Sequence, residues 1–256
     1  MWDSPWDQLE PSLQRRPLAL AARAALKKRG ADLPQLRQDD AWLCDDWHLQ
    51  VAQRDYITKE ELSRAMRWKL QRGTFRPRLQ TLVDSSSESE VKEHSKAAFD
   101  AMSNFGDKSD KEQEKQIRSA IQSLSKLKGV GAATATLILC FALGGLHSED
   151  TESASVGSHV PFMSDEAMQA CAPLSPNEPK KRVQYTLAHA IRFFRACRQR
   201  SRQLNTTSAK LAEALFCATY APAETPKNRS LKGAVSSASG AVPRRLVRKK
   251  SKAGSR

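Results

Sequence analysis

Between Leu124 and Leu139 the chain reads LSKLKGVGAATATLIL, and its glycine spacing suits one kind of chemistry, the holding of an anion on main-chain amides. A helix is expected to end at Leu127. Gly129 and Gly131 then flank Val130, and Thr134 and Ala135 fall where a second helix opens. Glycine serves where φ is positive or where a ligand must approach the backbone closely. Amides at such a turn, and at the helix N-terminus after it, point outward and form an anion site. Lys126 and Lys128 stand beside this turn, so a nucleic-acid phosphate is the natural occupant. Its residues would be Lys126, Lys128, Gly129, Val130, Gly131, Ala132 and Thr134. The small residues Ala132, Ala133 and Ala135 let two helices cross closely, and Val130 plugs the turn from inside. The same letters also describe a plain helical hairpin closed by glycines.

A second basic stretch runs from Arg64 to Arg78, with six cations (Arg64, Arg67, Lys69, Arg72, Arg76, Arg78), no acid, and Trp68 and Phe75 among them. Arg67, Lys69, Arg72, Arg76 and Arg78 are the candidates for a secondary phosphate-contacting surface that positions a duplex without reading bases. A solvated helix face over buried aromatics is the alternative. Arg192, Arg195, Arg198 and Arg202 form a further stripe that either extends this surface or is simply exposed. His94 and His189 have no second ligand at metal spacing. The five cysteines (Cys44, Cys140, Cys171, Cys197, Cys217) are odd in number and lack a CxxC pair, so neither a disulfide framework nor a zinc or iron–sulfur site is expected. No metal or cofactor is called for.

The formal charge of +14 is uneven: residues 221–256 carry ten Lys and Arg against Glu224, a net +9, which leaves +5 for the rest. The end, PRRLVRKKSKAGSR, reads as a disordered basic tail. Arg244, Arg245, Arg248, Lys249, Lys250 and Lys252 would form a nuclear import signal read by an import receptor, or act only as a solubilising tail. A nuclear location follows from the first reading. No apolar run reaches the length of a membrane span, and the acidic, proline-bearing start MWDSPWDQLEP is unlike a signal peptide, so no membrane partner is expected.

The elements that must position these residues read as helices throughout. One is expected from Pro17 to Gly30. Trp42, Leu43 and Trp47 anchor an acidic segment. A capping box at Thr58 and Glu61 opens a helix that ends at Gly73. Short and long helices follow after Pro77 and from Ser87 to Phe105, the latter with Val91, Ala98, Phe99 and Met102 inward. GDKSDKEQEK reads as a charged connector, and a helix then places Ile117, Ala120, Ile121 and Leu124 on one face. AATATLILCFAL is an apolar helix, His147 to Ser158 a solvated loop, and a helix begins near Ser164. Two more follow, one with Val183, Leu187, Ile191, Phe194 and Cys197 inward and one from about Ser208 to Tyr220. No strand alternation appears. The fold class is all-α: a flexible start at 1–14, one domain at 15–220 with a helix-hairpin-helix at 117–143, and the tail at 221–256.

The stretch from Leu124 to Leu139 resembles the helix-hairpin-helix of the DNA glycosylase superfamily, the endonuclease III-like proteins. The resemblance implies a multi-helix glycosylase-like domain, backbone contacts to DNA, and repair or chromatin proteins as partners. It also implies a catalytic aspartate downstream, just before a helix; VPFMSDEAM puts Asp165 there, 34 residues after Gly131. Lys128 stands where the hairpin usually has proline. Ala133 occupies the place of the Schiff-base lysine of bifunctional members, so lyase chemistry through that position is not expected. What the resemblance leaves is sequence-independent DNA binding. The alternatives are a monofunctional N-glycosylase with Asp165 stabilising an oxocarbenium ion or directing a water, and a non-catalytic chromatin-complex subunit. Ser164 and Asp165 are also good helix N-caps, which would give Asp165 a purely structural task. The segments EELSRAMRWKLQRGTFRP, LKGVG and VPFMSDE together, over residues 56–170, resemble a set of uncharacterised eukaryotic proteins more closely still, and those bring no activity with them.

Overall fold

In the computed structural model, Leu26 and residues 30–74, 76–146, 155–170 and 184–220 are described, and all of them are helix, turn or irregular chain with no strand. They fall within one unit, Met1–Pro222. The basic tail, most of the helix expected from Pro17 to Gly30, Phe75, Cys171 and Val183 lie outside the described residues.

The helix α1 (Leu33–Ala41) is capped by Asp32, whose carboxylate accepts from the Gln35 amide at 3.2 Å. It continues through a π turn (Trp42–Asp46) into α2 (Trp47–Ala52). Trp42, Leu43 and Trp47 are buried as expected, the two indoles stacked with centroids 5.0 Å apart. Three capping boxes then set the starts of α3 (Lys59–Arg72), α5 (Glu88–Ala101) and α6 (Asp110–Leu124); α4 (Pro77–Asp84) opens on proline at its first position. In the first box Thr58 Oγ1 accepts from the Glu61 amide at 3.2 Å, and Glu61 Oε2 accepts from the Thr58 amide at 2.9 Å. The third box corrects the sequence reading. GDKSDKEQEK is not a connector: Ser109 and Glu112 cap each other within it, and the helix starts at Asp110. Its high charge masked a start signal, because Asp and Glu are favoured in a first turn by the helix dipole.

The centre is α7 (Ala132–Ala142), buried at every residue and packed against α6, α2, α3 and α9 (Leu187–Gln203). Its small first turn admits the hairpin. At its other end Gly145 and Gly157 approach the Cys140 carbonyl so closely that a Cβ at either place would collide with it. Gly157 and Ser158 are therefore buried in a 3₁₀ turn (Val156–His159), where a solvated loop was expected. After a short helix, α8 (Asp165–Ala170), and then α9, α10 (Ser208–Tyr220) closes the fold against α9 and α8.

Asp39 joins α1 to α3. Its fully buried carboxylate accepts from Arg64 Nε at 2.8 Å, and from Arg67 Nε and Nη2 at 2.9 Å each, while the Arg64 guanidinium lies 4.4 Å from the Trp42 ring centroid. Burial pushes this carboxyl up, but Arg67 and Arg64 together outweigh burial and hold it below the usual carboxylate range. Asp39→Asn should therefore lower stability by about 1–2 kcal/mol, in line with charge-assisted bonds. An Asp with a depressed folded pKa contributes fully above its unfolded value, about 4, and loses that contribution as pH falls through the folded value. The gap between wild type and variant in urea unfolding should thus be constant above about pH 5 and shrink below about pH 4. A gap that widens in acid would contradict the assignment.

Candidate functional site

At the hairpin the structure separates the two glycines that sequence reasoning treated alike. Gly129 has φ of +76°, the left-handed region, and a Cβ there would lie 3.0 Å from Leu82 Cβ and 3.1 Å from the Leu79 carbonyl oxygen. Gly131 has φ of −100° and ψ of −177°, ordinary extended backbone that caps α7, and a Cβ there would meet nothing within 4 Å. Gly129 is needed for the turn; Gly131 is not, and it leaves open space beside the amides.

The backbone hydrogen bonds show which amides remain for a ligand. The Val130 amide donates to Leu127 O at 3.1 Å and the Thr134 amide to Gly131 O at 3.0 Å, so these two of the expected anion-holding amides are already used. The amides of Gly129, Gly131, Ala132 and Ala133 make no backbone hydrogen bond among the described residues. The Val130 side chain is buried, the inward plug that its position predicts.

Of these residues Gly129, Gly131 and Ala133 line a cleft of about 170 Å³, together with Lys69, Arg76 and Asp165. Phe162, Phe216, Leu70 and Met163 supply apolar lining, and Trp68, fully buried, backs the Phe162 ring at 5.9 Å between centroids. The extended, buried chain from Val160 to Ser164 is fixed to α7 by the Met163 amide, which donates to Thr136 Oγ1 at 3.1 Å.

That strap delivers Asp165. The capping task falls to Ser164, whose hydroxyl accepts from the Ala167 amide at 3.1 Å, and Asp165 turns to the cleft instead. Its Oδ2 accepts from the Thr74 hydroxyl at 3.0 Å and its Oδ1 from the Tyr185 hydroxyl. Arg76 lies 5.6 Å from the Tyr185 ring centroid. Thr74 and Tyr185 are site residues that the sequence did not announce, since each meets Asp165 only through the fold.

Lys69 shares this cleft. Burial pushes its ammonium down to about 8, the Arg76 charge acts in the same direction, and the Asp165 charge opposes them. The rest of the expected secondary basic surface is dispersed. Arg67 is bound to Asp39, as described above. Arg72 is no surface residue at all. It is 2 % exposed, ion-paired to Glu213 at 2.6 Å, and its guanidinium is 3.5 Å from the Phe216 ring centroid. Burial works against its charge, and Glu213 and Asp40, with a smaller contribution from Cys217, more than compensate. Arg76 and Arg78 remain exposed.

Three of the four stripe arginines pair with α6, and Arg192 is exposed, as are most of Arg195 and Arg202. Arg195 pairs with Glu114 at 2.7 Å, and Arg198 and Arg202 with Asp110 at 2.9 and 3.0 Å. Cys140 is buried, and burial raises its thiol far above the ordinary range, which makes it inert. Among the described residues no cluster of three or more His, Cys, Asp or Glu is placed to hold a metal, and no helix is long and apolar enough to cross a membrane. No protein-family model, curated protein or solved structure matches this chain.

Proposed function

We propose that this chain is a nuclear DNA-binding protein built on a glycosylase-like helix-hairpin-helix domain, which grips backbone phosphate without sequence preference and serves in DNA repair. The observation that carries the reading is the set of four hairpin amides without backbone partners, at Gly129, Gly131, Ala132 and Ala133, beside a cleft that also holds Lys69 and Arg76. Convergent amides at a helix N-terminus favour an anion, and flanking cations raise its local concentration. Lys126 and Lys128 add charge at the turn without reading bases. Amides beside an open cleft also suit a ligand better than the chromatin-scaffold alternative, in which they would be covered by a partner helix.

The test is the salt dependence of duplex affinity for residues 1–222, which removes the basic tail as a confounding binder. Binding should weaken linearly in log–log form with a slope corresponding to several phosphates, and Lys126→Gln with Lys128→Gln should reduce that slope by about 2. A fragment that fails to bind near physiological salt would overturn the reading.

Asp165 favours a second reading, that of a monofunctional N-glycosylase. Its carboxylate is released from capping by Ser164, oriented by two hydroxyls, and set beside an apolar cleft that would receive an extruded base. A developing oxocarbenium charge would be stabilised by that carboxylate. Asp165→Asn keeps the shape and removes the charge. On a panel of damaged-base duplexes it should cut base release about 100-fold or more while leaving duplex affinity near wild type. Absence of release by the wild type across the panel would leave only the binding function.

A further inference from the structure

We propose that the cavity at the far end of α9 from the hairpin binds a phosphate group between His159, Arg198 and Arg202. The cavity holds about 340 Å³ and shares no lining residue with the hairpin cleft, so the proposal stands whether or not that cleft takes DNA. Leu187 opens α9 in a groove that Gly131 and Ala132 also line, whereas Ser201, close to the other end of the helix, lines the cavity. The 17 residues of α9 span about 25 Å, which sets the two places well apart.

The lining donates hydrogen bonds far more than it accepts them, and among the described residues no Asp or Glu belongs to it. Positive charge is also in excess. Arg198 and Arg202 reach Asp110 at 2.9 and 3.0 Å, so two guanidiniums share one carboxylate. A guanidinium offers several N–H groups in a fixed plane, a geometry suited to the oxygens of phosphate. His159 enters from the 3₁₀ turn with one side of its ring against Phe105, 5.5 Å between centroids, and its ring nitrogens make no hydrogen bond among the described residues. Burial, then the charges of Arg202 and Arg198, push this imidazole below its usual 6.5. It is therefore neutral at pH 7 and carries one N–H for an anion. Between these groups lies the turn from α9 into α10. Ser201 donates to the Arg198 carbonyl at 3.1 Å, which lets the buried Ser208 hydroxyl, 3.3 Å from Ser201 Oγ, turn its proton to a ligand. The Thr207 and Ser208 amides make no backbone hydrogen bond among the described residues and face the same charge preference at the start of a helix.

The test uses the full chain with isotope-labelled histidine, the His159 ring signal being assigned by its absence from His159→Gln. Sodium phosphate is titrated at pH 7 against sodium chloride of equal ionic strength. The His159 signal should shift saturably with phosphate and stay in place with chloride. Arg202→Gln should weaken that binding about fivefold, and Asp110→Asn, which releases both arginines, should strengthen it about threefold. Damage to the fold would weaken binding in both variants, so the opposite signs separate a ligand site from a structural cluster. No saturable shift, an equal shift in chloride, or weaker binding by Asp110→Asn overturns the proposal. A short duplex added in place of phosphate then identifies the source. A matching His159 shift supports the site as one for a DNA backbone phosphate, and a saturable phosphate shift that duplex does not reproduce supports it as one for a free phosphate or phosphate ester. Failure to bind duplex at all overturns the hairpin reading and leaves this site standing.

Discussion

Gly131→Asp should lower affinity for duplex DNA by about 10–100-fold, or roughly 1.4–2.8 kcal/mol, without lowering the melting temperature. The two halves of this expectation have separate causes. Gly131 is the extended N-cap of α7, and a Cβ there meets nothing within 4 Å, so the fold accepts a side chain. Asp is among the best N-cap residues and its charge complements the helix dipole, so stability should hold or rise slightly. The same charge would sit at the mouth of the unpaired amides of Gly129, Ala132 and Ala133, where a phosphate would have to enter. Gly129→Ala is the contrasting change. Its φ of +76° and a Cβ 3.0 Å from Leu82 Cβ make it a folding lesion of about 1–2 kcal/mol. Loss of binding in both variants, with loss of stability only at Gly129, would tie the hairpin to phosphate. Wild-type binding by Gly131→Asp would show that DNA, if bound at all, is held elsewhere.

Local physics was legible in the chain. Thr58 with Glu61 and Ser87 with Glu90 signal their helix starts within four residues, and the apolar spacing of Ile117, Ala120, Ile121 and Leu124 names the buried face of α6. Ser109 with Glu112 carried the same signal, hidden by surrounding charge. What was not legible depends on distant partners. Arg72 looked like one more surface cation because Glu213, which lets it be buried, is 141 residues away. From sequence Asp165 read as a helix cap or as a reactive carboxylate. In the fold Ser164 takes the cap, and Thr74, 91 residues distant, and Tyr185 bind the Asp165 carboxylate, contacts that only the fold brings together. The α9 arginines repeat the lesson: their exposure was legible, but the pairing of Arg195, Arg198 and Arg202 with Glu114 and Asp110 of α6 was not.

Lys69 lends itself to a test by stability. Lys69→Met, similar in length and free of charge, should raise the unfolding free energy at pH 7 by about 1–3 kcal/mol. The folded state lowers this ammonium from 10.5 to about 8, because burial and the Arg76 charge disfavour the protonated form more than Asp165 favours it. The unfolded chain therefore holds the proton more tightly. The amine's full stability is present above about pH 10.5 and is lost as pH falls through about 8, so below that the charge is a standing cost to the fold. The advantage of the Met variant should be greatest below pH 8 and vanish toward pH 10.5, read as the difference in urea midpoints across that range. A Met variant no more stable than wild type at pH 7 would mean that the ammonium is already compensated within the fold. The expected gain has a functional meaning. A residue that weakens the fold, and whose charge Asp165 offsets only in part, fits a site completed by its ligand. A DNA phosphate on the hairpin would supply that negative charge and stabilise the protonated amine. Binding of intact duplex should accordingly reduce the stability advantage of Met over Lys, as the ligand stabilises the folded wild type more than the variant that lacks this cation.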